Sequence, residues 1–241
     1  ARKLARVRVF EVGRVFLRDP SVVESDSTVQ GFHQPLRIAA MACGSAESMQ
    51  WATKERSIDF FDAKGDVQAL LAPLNAEFEP ANHPAMHPGR CAQIKVGGAI
   101  IGHVGELHPK WRQGYELAQT PVMFELELSA VLARKLPEFA PVAKFQSVQR
   151  DIAVVVADSV THAALMAAIW SAPVGGLLRD AQLFDVYRPK PTADTANLER
   201  SLAVRLTLNS DDNTLAEEQI DAAVKAVVDQ LQSALGARQR V

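Results

Sequence analysis

The sequence is short of several things, and each shortage excludes something. Only two cysteines, Cys43 and Cys91, occur in 241 residues. They form no CxxC pair and no disulfide framework, so a fold stapled by covalent cross-links is excluded. No apolar run approaches the ~20 residues that a membrane-spanning helix needs, and the amino terminus has no signal-peptide segment. The reading is a soluble, cytosolic chain with no membrane partner. Positive charge is not in excess either: the net charge is −2 and the pI is near 6.3. The global basic signature of nucleic-acid-binding domains is therefore absent, and any RNA site has to be local. An initiator methionine is also missing, so the stretch from Ala1 to Arg8 reads as a cut through a longer protein.

What is present is apolar material, at 48% of residues. Spread over 241 residues, that suffices for two ordinary cores, and typical domain size favours two domains. In the first half, Val7–Leu17 and Pro35–Cys43 read as strands, with Gly13 a bulge or close-approach point. A helix begins near Asp62, its apolar face made by Val67, Leu70, Leu71 and Leu74. His83–Arg90 (HPAMHPGR) is predicted to be a shaped loop, because Pro84 and Pro88 lack amide donors and restrict the residues before them. Cys91–Val96 and Ile100–Glu106 then form a hairpin turned by Gly97 and Gly98. Val122–Leu128 adds a strand with Val122, Phe124, Leu126 and Leu128 on one face, and Glu125 and Glu127 on a solvated or subunit-facing one.

Pro137 and Pro141 mark a linker, placed at 137–143, between a sheet domain over 1–136 and a second domain over 144–241. The second domain reads as strand (Asp151–Ala157), helix (Thr161–Ser171), two strands (Ala181–Arg188 and Ser201–Leu208), helix (Leu215–Leu235) and a short strand (Ala237–Val241). That βαββαβ order is the ferredoxin-like arrangement. The last helix has a capping box expected from Thr214 and Glu217, a buried stripe of Ile220, Val224, Val227, Leu231 and Leu235, and a C-cap at Gly236. Both helices of such a fold cover one sheet face and leave the other open. Alternation directs Phe184 and Val186 toward the helices with Leu202, Val204 and Leu206. It leaves Leu183, Asp185, Tyr187, Ala203, Arg205 and Thr207 on the open face, joined by Ala153 and Val155. One ring, one guanidinium and one carboxylate on a floor of small residues match the π face and polar edges of an unpaired base.

Other constellations read as structural. His83, His87 and Cys91 are spaced i, i+4, i+8, but Pro84 and Pro88 destroy the helical geometry that would align them on a metal. Trp51, Trp111 and Trp170 are expected to be packing residues, and Arg134 and Lys135 solvent charges at a helix end. Val174-Gly175-Gly176 is the one turn that a ferredoxin-like amino-acid sensor could use to grip a carboxylate. Sensing, or a purely structural role at a subunit interface, are the alternatives to base binding.

The motifs LFDVYR, SLAVRLTL, TLAEEQI and KFQSVQRDIAVVV resemble the C-terminal anticodon-binding domain of bacterial phenylalanyl-tRNA synthetase β subunits. RVRVFEVGRVFL, SIDFFDAKGDVQALL, HPAMHPGRCAQI, IGHVGELHP and PVMFELELSA resemble the non-catalytic, class II synthetase-like domain that precedes it. The resemblance covers essentially the whole chain. It implies an α+β protein, a mixed and mainly antiparallel synthetase-like sheet domain followed by the ferredoxin-like one. It also implies a place in a heterotetramer of two α and two β subunits that joins phenylalanine to tRNA(Phe), with chemistry, ATP and Mg2+ belonging to the α subunit and no cofactor here. Phe10-Glu11-Val12-Gly13 stands where an ATP-binding arginine element is sought, and no Gly-rich element near PVMFELEL supplies a second. By the same resemblance Tyr187 and Asp185 contact the anticodon, with Ala153 beside them. Arg205, Arg188, Arg150 and Lys190 are candidate phosphate or base-edge partners.

Overall fold

The structure is a computed structural model that describes residues 4, 6–133, 139, 142–189 and 199–240. The chain divides into two compact units, Ala1–Pro137 and Glu138–Val241. The expected linker at 137–143 falls mostly outside the described residues, as do Arg134 and Lys135.

The first unit runs β1 (Arg6–Arg14), β2 (Leu17–Arg18), β3 (Phe32–His33), β4 (Leu36–Gly44), α1 (Phe60–Leu71), β5 (Ala76–Pro80), β6 (Met86–Val96), β7 (Ala99–Leu107), α2 (Pro109–Gly114), β8 (Val122–Glu127) and α3 (Leu128–Leu132). Six strands make one antiparallel sheet in the order β1-β4-β8-β7-β6-β5. Helix α1 covers one face. Its Val67 and Leu71, fully buried, pack with Ile94, Val104 and Leu126 of the sheet. The Asp59 carboxylate accepts from the Phe61 and Asp62 amides, and Asp62 accepts in return from the Asp59 amide, a reciprocal cap that fixes where the helix starts. Gly97 and Gly98, with φ of 58° and 81°, turn the β6–β7 hairpin as expected. At Gly102 a Cβ would lie 2.0 Å from the Glu125 carbonyl oxygen, so strands β7 and β8 approach there only because the side chain is absent.

Three expectations for this unit are corrected. Met86–Arg90 belongs to β6 rather than to a loop. The ladder to β7 is interrupted between Met86 and Cys91, and Pro88 sits inside that excursion, where no ladder hydrogen bond is asked of it. The apolar stripe of α1 is Ala63, Val67 and Leu71, and Leu74 lies beyond the helix end. Trp51 is 99% exposed and packs against nothing, whereas Trp111 stacks on Tyr115 and donates to the Pro84 carbonyl.

The second unit runs β9 (Val148–Ala157), α4 (His162–Trp170), β10 (Leu178–Tyr187), β11 (Glu199–Leu208), α5 (Glu217–Leu235) and β12 (Arg238–Gln239). The order in the sheet is β10-β11-β9-β12, antiparallel throughout. This is the βαββαβ arrangement read from the sequence. Leu165 and Ile169 of α4, with Ile220, Val227 and Leu231 of α5, bury Val154, Val204, Leu206 and Leu208. Gly236 ends α5 in the left-handed region at φ 64°, where L side chains are strained. The start of α5 differs from the expectation. Its cap is Ala216, whose amide donates to Gln219 Oε1 at 3.0 Å, so the helix begins two residues past the Thr214 box.

Candidate nucleic-acid interface

Cross-strand register decides which side chains share the face that α4 and α5 leave open. Asp151 faces Arg205, Ala153 faces Ala203, and Val155 faces Ser201 across β9 and β11. On the next ladder Asp185 faces Ala203 and Tyr187 faces Ser201. Cross-strand partners point the same way, so Asp151, Ala153, Val155, Asp185, Tyr187, Ala203 and Arg205 share the open face. Tyr187 is 53% exposed. Among the described residues the Asp185 carboxylate has no ionic or hydrogen-bonding partner, which leaves its oxygens free to accept.

One part of the face assignment is corrected. Phe184 lies on the open side and Leu183 on the helix side, the reverse of simple alternation. The register steps from Leu183–Val204 to Asp185–Ala203, so Phe184 is the extra residue of a β-bulge. A bulge places two consecutive side chains on one face. Leu183 consequently packs against the buried core, while Phe184 is 50% exposed with the Arg205 guanidinium 5.2 Å from its ring centroid. Val186, opposite Leu202, keeps its expected side.

Arg205 also donates Nε and Nη2 to the two carboxylate oxygens of Asp151, each at 2.8 Å. That fork-to-fork pair holds the Asp151 carboxyl below its usual range. Beyond the far edge strand, the Arg240 amide donates to the Ala153 carbonyl at 2.8 Å, and its guanidinium comes within 5.3 Å of the Tyr187 ring centroid. Arg240 extends the line of β12, three strand spacings or roughly 14 Å from β10, so its side chain and that of Tyr187 meet over the floor of small residues between them.

The other candidate cations stand elsewhere. Arg150 is on the helix-covered side, opposite Leu206, where it pairs with Glu217 at 2.6 Å. The structure does not bring it to the open face. Arg188 follows β10 and pairs with Asp158 at 3.0 Å. Lys190 lies outside the described residues. Phe184 and Arg240 are the residues that sequence reasoning missed. The bulge left no composition signal to betray Phe184, but alternation through the terminal strand would have put Arg238 and Arg240 on one face.

In the first unit the uncovered sheet face carries Arg37, Ala39, Met41, Met123, Glu125 and His103, as the β4–β8–β7 register dictates. Two cations of this face are paired with carboxylates: Arg37 with Glu125, and Lys95 with Glu79. Burial, helped by the neighbouring His83 and Arg37, lowers the His103 pKa. No group of three His, Cys, Asp or Glu able to hold a metal occurs among the described residues. Cys91 Sγ instead contacts Met86 Sδ, and His83 packs on His103. Edge strand β1 exposes Val9, Phe10 and Val12, with Phe10 75% accessible. Among the described residues no helix is long and apolar enough to cross a membrane.

Comparison with known proteins accounts for both units. Residues 1–128 match the phenylalanyl tRNA synthetase beta chain CLM domain, and residues 143–240 match the ferredoxin-fold anticodon binding domain. The chain is 47% identical to the phenylalanine–tRNA ligase beta subunit of Cupriavidus pinatubonensis, 46% to that of Burkholderia pseudomallei and 44% to that of Chromobacterium violaceum. These alignments cover 99%, 99% and 100% of this chain, but only 30%, 30% and 29% of the relatives. The chain thus spans under a third of the length of the proteins it matches.

Proposed function

The chain belongs to the family of phenylalanine–tRNA ligase β subunits, and from that membership we propose that its second unit reads the anticodon stem-loop of tRNA(Phe) while its first unit is a non-catalytic scaffold for the α subunit. The observation that carries the anticodon reading is the open face on which Tyr187, Asp185 and the small floor of Ala153 and Ala203 stand together. A base stacked on Tyr187 contributes roughly 1–3 kcal/mol whatever its identity. Asp185 supplies the discrimination, because a carboxylate accepts from the exocyclic amino group of cytosine or guanine and repels the carbonyl edges of uracil.

In this reading the ligase is a cytoplasmic heterotetramer of two α and two β subunits, and ATP and Mg2+ act in the α subunit. The first unit does not fit them. Stabilising a departing pyrophosphate requires unpaired cations aimed at it, and the cations of its uncovered face are committed to Glu125 and Glu79. What that unit offers is apolar surface along β1, around Val9, Phe10 and Val12, of the kind that a subunit contact buries.

Titration of the 241-residue chain with a tRNA(Phe) anticodon stem-loop at moderate salt tests the reading. Tyr187→Ala is expected to weaken binding roughly 5- to 150-fold. Equal affinity of the two proteins, or no binding by either, rejects the anticodon platform. The chain alone is expected to catalyse no phenylalanine-dependent ATP–pyrophosphate exchange, and measurable exchange would reject the scaffold role.

A further inference from the structure

We infer that Phe184 is a second base-stacking residue, so that the open face seats two adjacent unpaired bases, one on Tyr187 and one on Phe184. The inference rests on the anticodon reading above and deepens it. Phe184 is a large apolar ring that the fold could have buried by ordinary alternation. The bulge between Leu183 and Asp185 instead turns it out beside Asp185, half exposed. Its ring is held on one side by a cation of the same face. Arg205 stands 5.2 Å from the ring centroid and is itself clamped by two hydrogen bonds to Asp151, so ring and guanidinium form a pre-organised edge rather than a loose surface side chain.

Spacing determines what such a pair of rings can hold. Asp185 and Tyr187 are two residues apart on β10, which is roughly 7 Å at the rise of an extended strand, and the bulge sets Phe184 at least as far from Tyr187. Stacked neighbours in a nucleic acid are only about 3.4 Å apart. Two bases lying on the two rings are therefore unstacked from each other and splayed onto the sheet, as single-stranded loops are when four-stranded βαββαβ sheets bind them through paired aromatics. Asp185, between the rings, reaches the edge of either base. The face therefore recognises a dinucleotide step, not a single nucleotide.

Anticodon stem-loops carrying 2-aminopurine at one loop position at a time, titrated with the 241-residue chain, test this directly. Stacking is expected to quench two neighbouring positions. Tyr187→Leu should release one, Phe184→Leu the other, each with roughly 5- to 150-fold weaker binding. Circular dichroism melting separates a folding defect from a lost contact, since a misfolded variant releases both positions together. Phe184→Tyr, which keeps a ring, should restore the second quench, and its failure to do so counts against stacking. If wild type quenches one position and Phe184→Leu leaves it unchanged, the second stacking site is wrong while the anticodon reading survives. If wild type quenches neither, the anticodon reading itself fails and the inference falls with it.

Discussion

Arg205 has two neighbours that pull it in different directions. As a cation on an RNA-facing surface it could serve a phosphate, yet its charge is matched by Asp151, which takes hydrogen bonds from Nε and Nη2 at 2.8 Å. An exposed pair of this kind contributes little to stability. Its effect is on availability, because a guanidinium already neutralised releases no counterion when RNA arrives. Asp151→Asn keeps the side-chain shape and removes the neutralising charge. Binding of an anticodon stem-loop to this variant is expected to tighten at low salt, with the slope of log K against log salt steeper by about 0.7, one additional single-strand phosphate. An unchanged slope would refute the idea that Asp151 withholds Arg205 from a phosphate. Tyr187 and Asp185 were both legible in the sequence as residues of the open face, because they lie on the regular side of the bulge, two residues apart.

Among the elements, α1 shows most clearly how local chemistry sets a boundary. The Asp62 carboxylate receives two hydrogen bonds from Arg56, at 2.6 and 2.7 Å, and the Asp59 amide at 2.9 Å. The Arg56 contact, opposed by partial burial and aided by the amide, lowers its pKa from 3.8 to about 2. A folded-state pKa depressed below the unfolded one stabilises fully above the unfolded value, and the contribution disappears as pH falls through the folded value. Asp62→Asn is therefore expected to destabilise the first unit by roughly 1 kcal/mol near neutral pH, the difference from wild type narrowing below about pH 4 and vanishing near pH 2. Denaturant melts at several pH values check this, and a pH-independent difference would refute the ionic component. Elements whose apolar period runs uninterrupted, such as β8, β11 and α5, could be read from the sequence nearly to their ends. Others could not. Strand β5 (AEFEP) is short, acidic and ends in proline. Helix α3 continues directly from β8 with no breaker between Glu127 and Leu128. At Phe184 the period is broken by one residue, and a period-2 argument inverts a side chain for every bulge it fails to see.

At the scale of the molecule, the composition allowed a local RNA site while excluding a basic one, and the placement of charges in the second unit explains how. From Lys144 onward 10 basic residues oppose 12 acidic ones, a net of −2, and the cations near the open face are mostly matched: Arg205 with Asp151, Arg238 with Glu199, Arg188 with Asp158. Among the described residues Arg240 alone of these lacks a carboxylate, resting against the Tyr187 ring instead. Affinity built on such a surface comes from stacking and hydrogen bonds, whose strength barely depends on salt, and only marginally from counterion release. The wild-type chain is accordingly expected to bind an anticodon stem-loop with a slope of log K against log salt of only about −1, where proteins making many phosphate contacts show far steeper values. Arg240→Gln should bring that slope toward zero and leave the Asp185-dependent preference among bases intact. A wild-type slope several-fold steeper would mean that a strong phosphate track exists somewhere other than this face, and the two-ring platform would then be a minor part of how the chain holds RNA.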